Sequence, residues 1–304
     1  MRIGIDLGGT KIEAIALDDA GSVLVRRRVP SPSRSYPEIL KMVAELVDAI
    51  ERELNQRGTV GIGSPGALSK KTGLMQNSNS TVLNGRPFER DLTEALARPI
   101  RLANDANCFA LSEAIDGAGA ASRVVFGAIL GTGVGGGIIV DSREIEGRNA
   151  IAGEWGHTPL PWRREEELTG WACYCGRSGC IETFLSGPAL ERDYCTQTSC
   201  VLTAREIAQA AEAGEEYAIA CVERYVDRLS RSLAVVIDIL DPEMIVLGGG
   251  LSNIEIIYRR MPNLIGGYVF SDTCDTPIRR ALHGDSSGVR GAAWLWPVTA
   301  TQTV

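Results

Sequence analysis

The sequence predicts an α/β protein made of two similar lobes that face each other across a cleft. Three observations lead there. The order strand–strand–strand–helix–strand–helix–strand that opens the chain recurs in its later part. A glycine-rich turn closes the first hairpin of each part, Gly8-Gly9 in one and Gly131–Gly137 in the other. With 304 residues and 44% hydrophobic content, the chain is long enough to bury two cores.

The elements justify this in order. Ile3–Gly8 is a short apolar run, Ile12–Leu17 follows the Gly-Gly turn, and Val23–Val29 is a third strand beyond the turn at Asp18–Gly21. Pro30, Pro32 and Pro37 punctuate a loop. From Tyr36 to Asn55, Ile39, Met42, Val43, Leu46, Val47, Ile50 and Leu54 recur at helical spacing. Thr59–Gly63 and Arg101–Ala103 read as strands, the latter leading into a helix over about Asp105–Asp116. The small-residue stretch Gly117–Ala121 marks the lobe boundary, giving lobes over 1–116 and 117–286. In the second, Val124–Leu130 and Ile138–Val140 are strands, Glu215–Leu240 is a long helix stopped by Pro242, and Glu243–Leu247 is a buried strand ending in Gly248-Gly249-Gly250. A last helix from about Ser287 to Trp296 is expected to return to the first lobe, carrying residues 287–304 with it.

Charge excludes some partners. The net charge of −7 and a pI near 5.1 argue against nucleic acid or anionic membrane. Arg26-Arg27-Arg28 reads as a solvated strand face. No apolar run approaches the ~18 residues of a membrane span, and no signal peptide precedes the first strand, so a cytoplasmic location is expected. That makes a disulfide framework from the eight cysteines a weak reading.

Glycines let backbone N–H groups approach an anion without a Cβ in the way. Gly8, Gly9, Thr10 and Lys11 form one such candidate cradle, with Asp6 placed to hold Mg²⁺ through water. Gly131, Thr132 and Gly133 begin a second. This second loop contains G-x-G-x-x-G, but a strand follows it rather than a helix, so it is not a dinucleotide fingerprint. Two such hairpins in equivalent places can grip one polyphosphate from both sides. Gly248, Gly249 and Gly250 offer a third close-approach surface, suited to an adenosine.

His157, Cys173, Cys175 and Cys180 have the donor types of a tetrahedral structural zinc site. Glu154 and Glu182 flank them, and carboxylates hydrogen-bond sugars well. Asp105 stands where a strand meets a helix. Asn and Asp are favoured helix caps; the functional alternative is that Asp105 accepts a proton from a sugar hydroxyl while Asn104 orients the same sugar.

Together, Asp6–Lys11, Asn104-Asp105, the 131–137 loop, Glu154–His157 and Cys173-x-Cys175-Gly-x-x-Gly-Cys180 resemble the sugar kinases of the ROK family over nearly the whole chain. The resemblance is closest to bacterial fructokinases of the manno(fructo)kinase type, through Asn77–Gly85, Gly153–Pro161, Cys173–Gly176 and His283–Pro297. N-acetylglucosamine kinases of the family come next; they share much of Asn104–Glu113 and the cysteine knot, and less around 77–85 and at Trp155. The resemblance implies two RNase H-like lobes of the actin/hexokinase/Hsp70 ATPase superfamily, ATP with Mg²⁺ as donor, a structural Zn²⁺ in a knot over about 153–183, and a homodimer. It implies Asp105 as general base and sugar contacts from Gly66, Asn79, Asn104, Glu154, His157 and Glu182. One nitrogen of His157 can then ligate zinc while the other points at a sugar hydroxyl.

The expected function is ATP-dependent phosphorylation of the 6-hydroxyl of fructose, with mannose or glucose as further substrates. The alternative is an N-acetylglucosamine kinase or glucokinase of the same family. A sugar-responsive transcriptional regulator of the family is disfavoured, because the first strand starts at Ile3 and no DNA-binding extension is expected. A zinc interaction module with a degenerate site is disfavoured by Asp105 and the two glycine loops.

Overall fold

The structure is a computed structural model and describes residues 1–297. Residues 298–304, expected to follow the last helix, lie outside the described residues.

Two five-stranded mixed sheets bear out the predicted class. The first contains β1 (Arg2–Leu7), β2 (Lys11–Leu17), β3 (Val23–Pro30), β4 (Thr59–Ser64) and, after a small hairpin of β5 (Ala67–Leu68) and β6 (Met75–Gln76), β7 (Arg101–Asn104). Its order is β3-β2-β1-β4-β7. The β1–β2 and β2–β3 pairs are antiparallel, and β1–β4 and β4–β7 are parallel. The second sheet repeats this arrangement with β8 (Val124–Leu130), β9 (Val134–Val140), β10 (Arg143–Glu144), β11 (Met244–Gly248) and β12 (Ile278–Arg280), in the order β10-β9-β8-β11-β12. Again the hairpin pairs are antiparallel and the crossover pairs parallel. The expected recurrence is therefore one of topology and hydrogen-bond direction.

Helices cover these sheets. In the first part they are α1 (Tyr36–Leu54), α2 (Phe88–Leu96) and α3 (Asp105–Ile115). The α1 helix buries Ile39, Val43, Leu46, Val47 and Ile50, the stripe its periodicity predicts, and ends at Asn55 in a left-handed conformation. The later helices are α4 (Glu182–Leu185), α5 (Gly187–Thr198), α6 (Ala204–Glu212), α7 (Glu216–Leu240), α8 (Glu255–Arg260), α9 (Pro262–Ile265) and α10 (Ser287–Trp294). The Glu215 side chain caps α7 by accepting from the Tyr217 and Ala218 amides. No described helix is long and apolar enough to cross a membrane.

The α3 and α10 helices pack on each other, α10 lying on the first sheet and α3 against the second. Every residue of α3 from Ala106 to Ala114 is buried. The close approach depends on glycine: a Cβ on Gly61 would overlap the Ala292 carbonyl, and one on Gly291 the Cys108 carbonyl. The seam also carries charge. Glu113 is fully buried and accepts from the amides of Ala118 (2.9 Å), Leu282 (2.9 Å) and His283 (3.1 Å) and from Ser287 Oγ (2.7 Å). Asp116 accepts from Trp294 Nε1 (3.1 Å), pairs with Arg290 and meets His283 Nε2 at 2.9 Å. Between them these two acids hold α10 from Ser287 to Trp294 against the end of α3.

Candidate active site and metal centre

Asp105 is the first residue of α3, directly after β7. The capping question resolves in favour of its neighbour: Asn104 is the N-cap, with Oδ1 accepting from the Ala106 amide at 2.9 Å. Asp105 Oδ1 shares that amide at the same distance, which leaves its other oxygen uncommitted among the described contacts. Asn104 Nδ2 donates to the Gly66 carbonyl (3.1 Å), so the cap is tied to the loop after β4. Burial pushes the Asp105 carboxyl up to about 6; the Ala106 amide opposes this and the Glu154 charge adds to it. Asp6, at the end of β1, is also raised to about 6, first by burial and then by the charges of Asp105 and Glu13, with Lys11 and Arg28 opposing. The Asp105 charge is thus felt at Asp6, and a carboxylate oxygen or two with water suit Mg²⁺.

The two glycine turns occupy equivalent hairpins, β1–β2 and β8–β9. In the first, Gly8 N donates to Lys11 O at 3.0 Å; Gly9 and Thr10 are exposed and Lys11 begins β2. In the second, Gly131 N donates to Gly133 O at 3.0 Å, with Thr132 at the exposed tip. Gly248 ends β11, Gly249 has φ +80° and Gly250 starts a short 3₁₀ turn.

The sugar-contact candidates divide. Gly66 (φ +82°) packs against Gln76 and Ser78, where a Cβ would sit 2.8 Å from the Ser78 amide. Asn79 is exposed beside Ser78, whose backbone Asn84 holds from both sides, accepting from the amide at 3.0 Å and donating to the carbonyl at 2.9 Å. Glu154 is exposed and close enough for its charge to reach Asp105. Glu182 begins α4 and is already engaged: Oε2 accepts from the Val134 amide at 2.9 Å, behind the second glycine turn.

His157, Cys173, Cys175 and Cys180 converge, each offering a ligand atom within 4.8 Å of the others. Cys173 Sγ lies 3.5 Å from His157 Nδ1, and Cys175 Sγ lies 3.6 Å from Cys180 Sγ. All eight cysteines are free thiols. Three thiols and an imidazole fit a closed tetrahedral zinc site, and a set this soft does not fit Mg²⁺ or Ca²⁺. The second nitrogen of His157 meets the Tyr174 hydroxyl at 2.9 Å. The resemblance aims that nitrogen at a sugar; in this structure it meets Tyr174, an exposed aromatic in a turn, which has no distinguishing sequence pattern. Glu113 and Asp116 carry contacts that the sequence does not single out, although Glu113, an acid among buried apolar residues of α3, is a readable signal.

The two-sheet fold, the paired glycine hairpins and a largely buried carboxylate at the start of α3 fit a phosphoryl-transfer enzyme of the sugar-kinase class. The chain belongs to the ROK family, whose sequence pattern matches residues 2–299. It is similar to the N-acetyl-D-glucosamine kinase of Haemophilus influenzae, with 39% identity over 302 residues, 97% of this chain and 99% of that one. Its structure is similar to that of a ROK hexokinase from Thermus thermophilus (TM-score 0.86, 33% identity, 96% of each chain). It is also similar to a ROK family glucokinase from Streptomyces griseus in complex with glucose and AMPPNP (TM-score 0.76, 26% identity, 96% of this chain and 97% of that one). The fold is the actin/hexokinase-like ATPase fold, as the resemblance implied. The expected order of relatives needs correcting: N-acetylglucosamine kinases, ranked second from sequence, are relatives at 39–40% identity, and fructose specificity gains no support from them. The segments that suggest fructokinase are short, whereas the match to these relatives covers 97% of the chain.

Proposed function

We propose that this sugar kinase transfers the γ-phosphoryl group of ATP to the 6-hydroxyl of a hexose, with N-acetylglucosamine, the sugar for which its relatives are named, as substrate. The observation that carries the reading is Asp105: a largely buried carboxylate, held at one oxygen by the Ala106 amide and close enough to Asp6, just before the first glycine hairpin, for its charge to be felt there. In this reading its free oxygen accepts the hydroxyl proton as the sugar oxygen bonds to the γ-phosphorus and ADP leaves. Gly8–Lys11 and Gly131–Gly133 would hold the phosphates from two sides, and Gly248–Gly250 the adenosine. Mg²⁺, held through water by Asp6, would offset phosphate charge, the main demand of such a reaction. Asn104, with Gly66, Asn79, Glu154 and Glu182, would orient the sugar, and His157 would join them once its Nε2 leaves the Tyr174 hydroxyl. Zn²⁺ at His157, Cys173, Cys175 and Cys180 would be structural. The lobes would divide near residue 117, with the knot at about 153–183 inserted in the second.

A second reading, fructose as substrate, is favoured by the resemblance of Asn77–Gly85 and Gly153–Pro161 to manno(fructo)kinases. ATP-dependent ADP release measured over N-acetylglucosamine, fructose, mannose and glucose tests both. The highest kcat/KM is expected for N-acetylglucosamine; a preference for fructose would replace the first reading with the second, and inactivity on all four would overturn both.

A further inference from the structure

Beside the candidate sugar contacts lies a cavity of about 330 Å³ between β7, the β5–β6 hairpin and the β10 edge of the second sheet. Gly66 and Asn104 line it, so it opens from the position proposed for the sugar. Lys70 bridges the two halves of its wall, reaching Glu146 Oε2 at 3.1 Å and the Gly147 carbonyl at 2.8 Å.

Two buried polar atoms of this wall have no partner: Ser64 Oγ, on a residue only 1% exposed, and Glu144 Oε2. Buried polar groups are normally hydrogen-bonded, and leaving one unpaired is costly. Both atoms are closed off from the cavity as it stands, so a small turn of either side chain toward it would be needed for a ligand group to complete them. Its chemistry follows from the rest of the wall. Glu89, Glu144 and Glu146 face one lysine that is already paired, which disfavours an anion. Among the described residues the only cluster of His, Cys, Asp and Glu ligand atoms able to hold a metal ion is the His157 one, so these acids do not form a metal cage. What fits is a neutral group with a hydrogen to donate. Burial and the Glu146 charge raise the Glu144 carboxyl to about 7, against Arg101, so near neutral pH it offers both an acceptor and a donor.

We propose that Glu144 and Ser64 are specificity-determining residues, which take a hydroxyl or amide N–H substituent of the sugar into this cavity. This rests on the hexose-kinase reading above and adds the part of the substrate that is discriminated.

The test is kcat and KM for the four sugars in wild type, Glu144→Ala, Glu144→Gln and Ser64→Ala. Glu144→Ala should raise KM for the preferred sugar about tenfold or more, the loss of one hydrogen bond to a polar or charged group, and raise it much less for the poorer sugars. The KM for ATP should not move. Glu144→Gln should recover part of the loss, and Ser64→Ala, which removes one oxygen from the wall, should show the same selective effect more weakly even if Glu144→Ala fails to fold. Equal scaling of every sugar, or an unchanged panel in soluble folded variants, would mean that the cavity holds water only, and would overturn the proposal while leaving the kinase reading intact. A wild type inactive on every sugar would overturn both.

Discussion

Asp105→Asn separates the proposed chemistry from the architecture. The amide keeps the size of the side chain and an oxygen to accept from Ala106 N, but removes the base. Turnover should fall by roughly 10²–10⁴-fold, about 3–5 kcal/mol in the barrier, with little change in sugar KM. The same substitution should stabilise the free protein. Burial raises the Asp105 carboxyl from 3.8 to about 6. A carboxyl whose pKa is higher in the fold than in the unfolded chain costs stability when ionised. The cost is absent below pH 3.8, grows between 3.8 and 6, and is complete above 6. Two units correspond to about 3 kcal/mol at most, and partial exposure of the side chain lowers this to about 1–2 kcal/mol. The variant should therefore melt a few degrees higher at neutral pH, with the gain fading as pH drops from 6 towards 4. Coupled ADP release gives turnover, and thermal denaturation at several pH values gives stability. Turnover within about tenfold of wild type would remove Asp105 from the general-base role; a lower melting temperature at neutral pH would refute the burial argument.

Three further substitutions probe the surroundings. Cys175→Ser should lower bound zinc by metal analysis and weaken sugar binding; unchanged zinc content together with unchanged sugar KM would sink the link between knot and sugar site. Gly133→Ala would set a Cβ 2.8 Å from Glu182 Oε2 and push that carboxylate off the Val134 amide, so KM should rise for both ATP and sugar, and a change in neither would refute the contact's importance. Glu167, 2% exposed, would be raised by burial alone, but hydrogen bonds from Arg231 and Arg228 outweigh this and hold it at about 2. Its contribution, up to about 3 kcal/mol, should be intact above pH 4.5 and lost as pH falls from 4.5 towards 2. Glu167→Gln should flatten that part of the stability profile, measured by denaturant titration.

The fold was legible wherever a pattern repeats locally. The α1 stripe and the two hairpins have this character, and the long α7 helix has a cap at one end and a proline at the other. The metal cluster was legible because three of its four donors lie within eight residues. Other features are not local. The β5 and β6 strands have two residues each, too few for any periodicity. The α3 helix is buried on every side, so it has no polar face to set its phase; its start was readable only from Asn104-Asp105, and which of the two caps depends on backbone geometry. The Ser64–Glu144 cavity joins residues eighty positions apart on different sheets, and neither residue is unusual in its own segment. Lys70 likewise becomes intelligible only when Glu146 stands opposite it.

The metal knot and the second glycine hairpin form one connected unit. Cys173 Sγ lies 4.0 Å from Glu182 Oε1, and the other oxygen of Glu182 holds the Val134 amide, the first residue of β9 after the turn. Trp155, two residues before His157, donates from Nε1 to the Gly135 carbonyl at 2.7 Å on the same strand. The turn is thus braced from both ends of the knot, by the segment before the cluster and the segment after it. A metal that fixes His157 relative to Cys173 would fix these two braces relative to each other. The consequence reaches beyond the sugar: the knot supports the wall proposed to hold phosphate. Loss of zinc is then expected to disturb ATP and sugar together, whereas loss of the Ser64–Glu144 contacts disturbs the sugar alone, and this difference separates a structural brace from a specificity pocket.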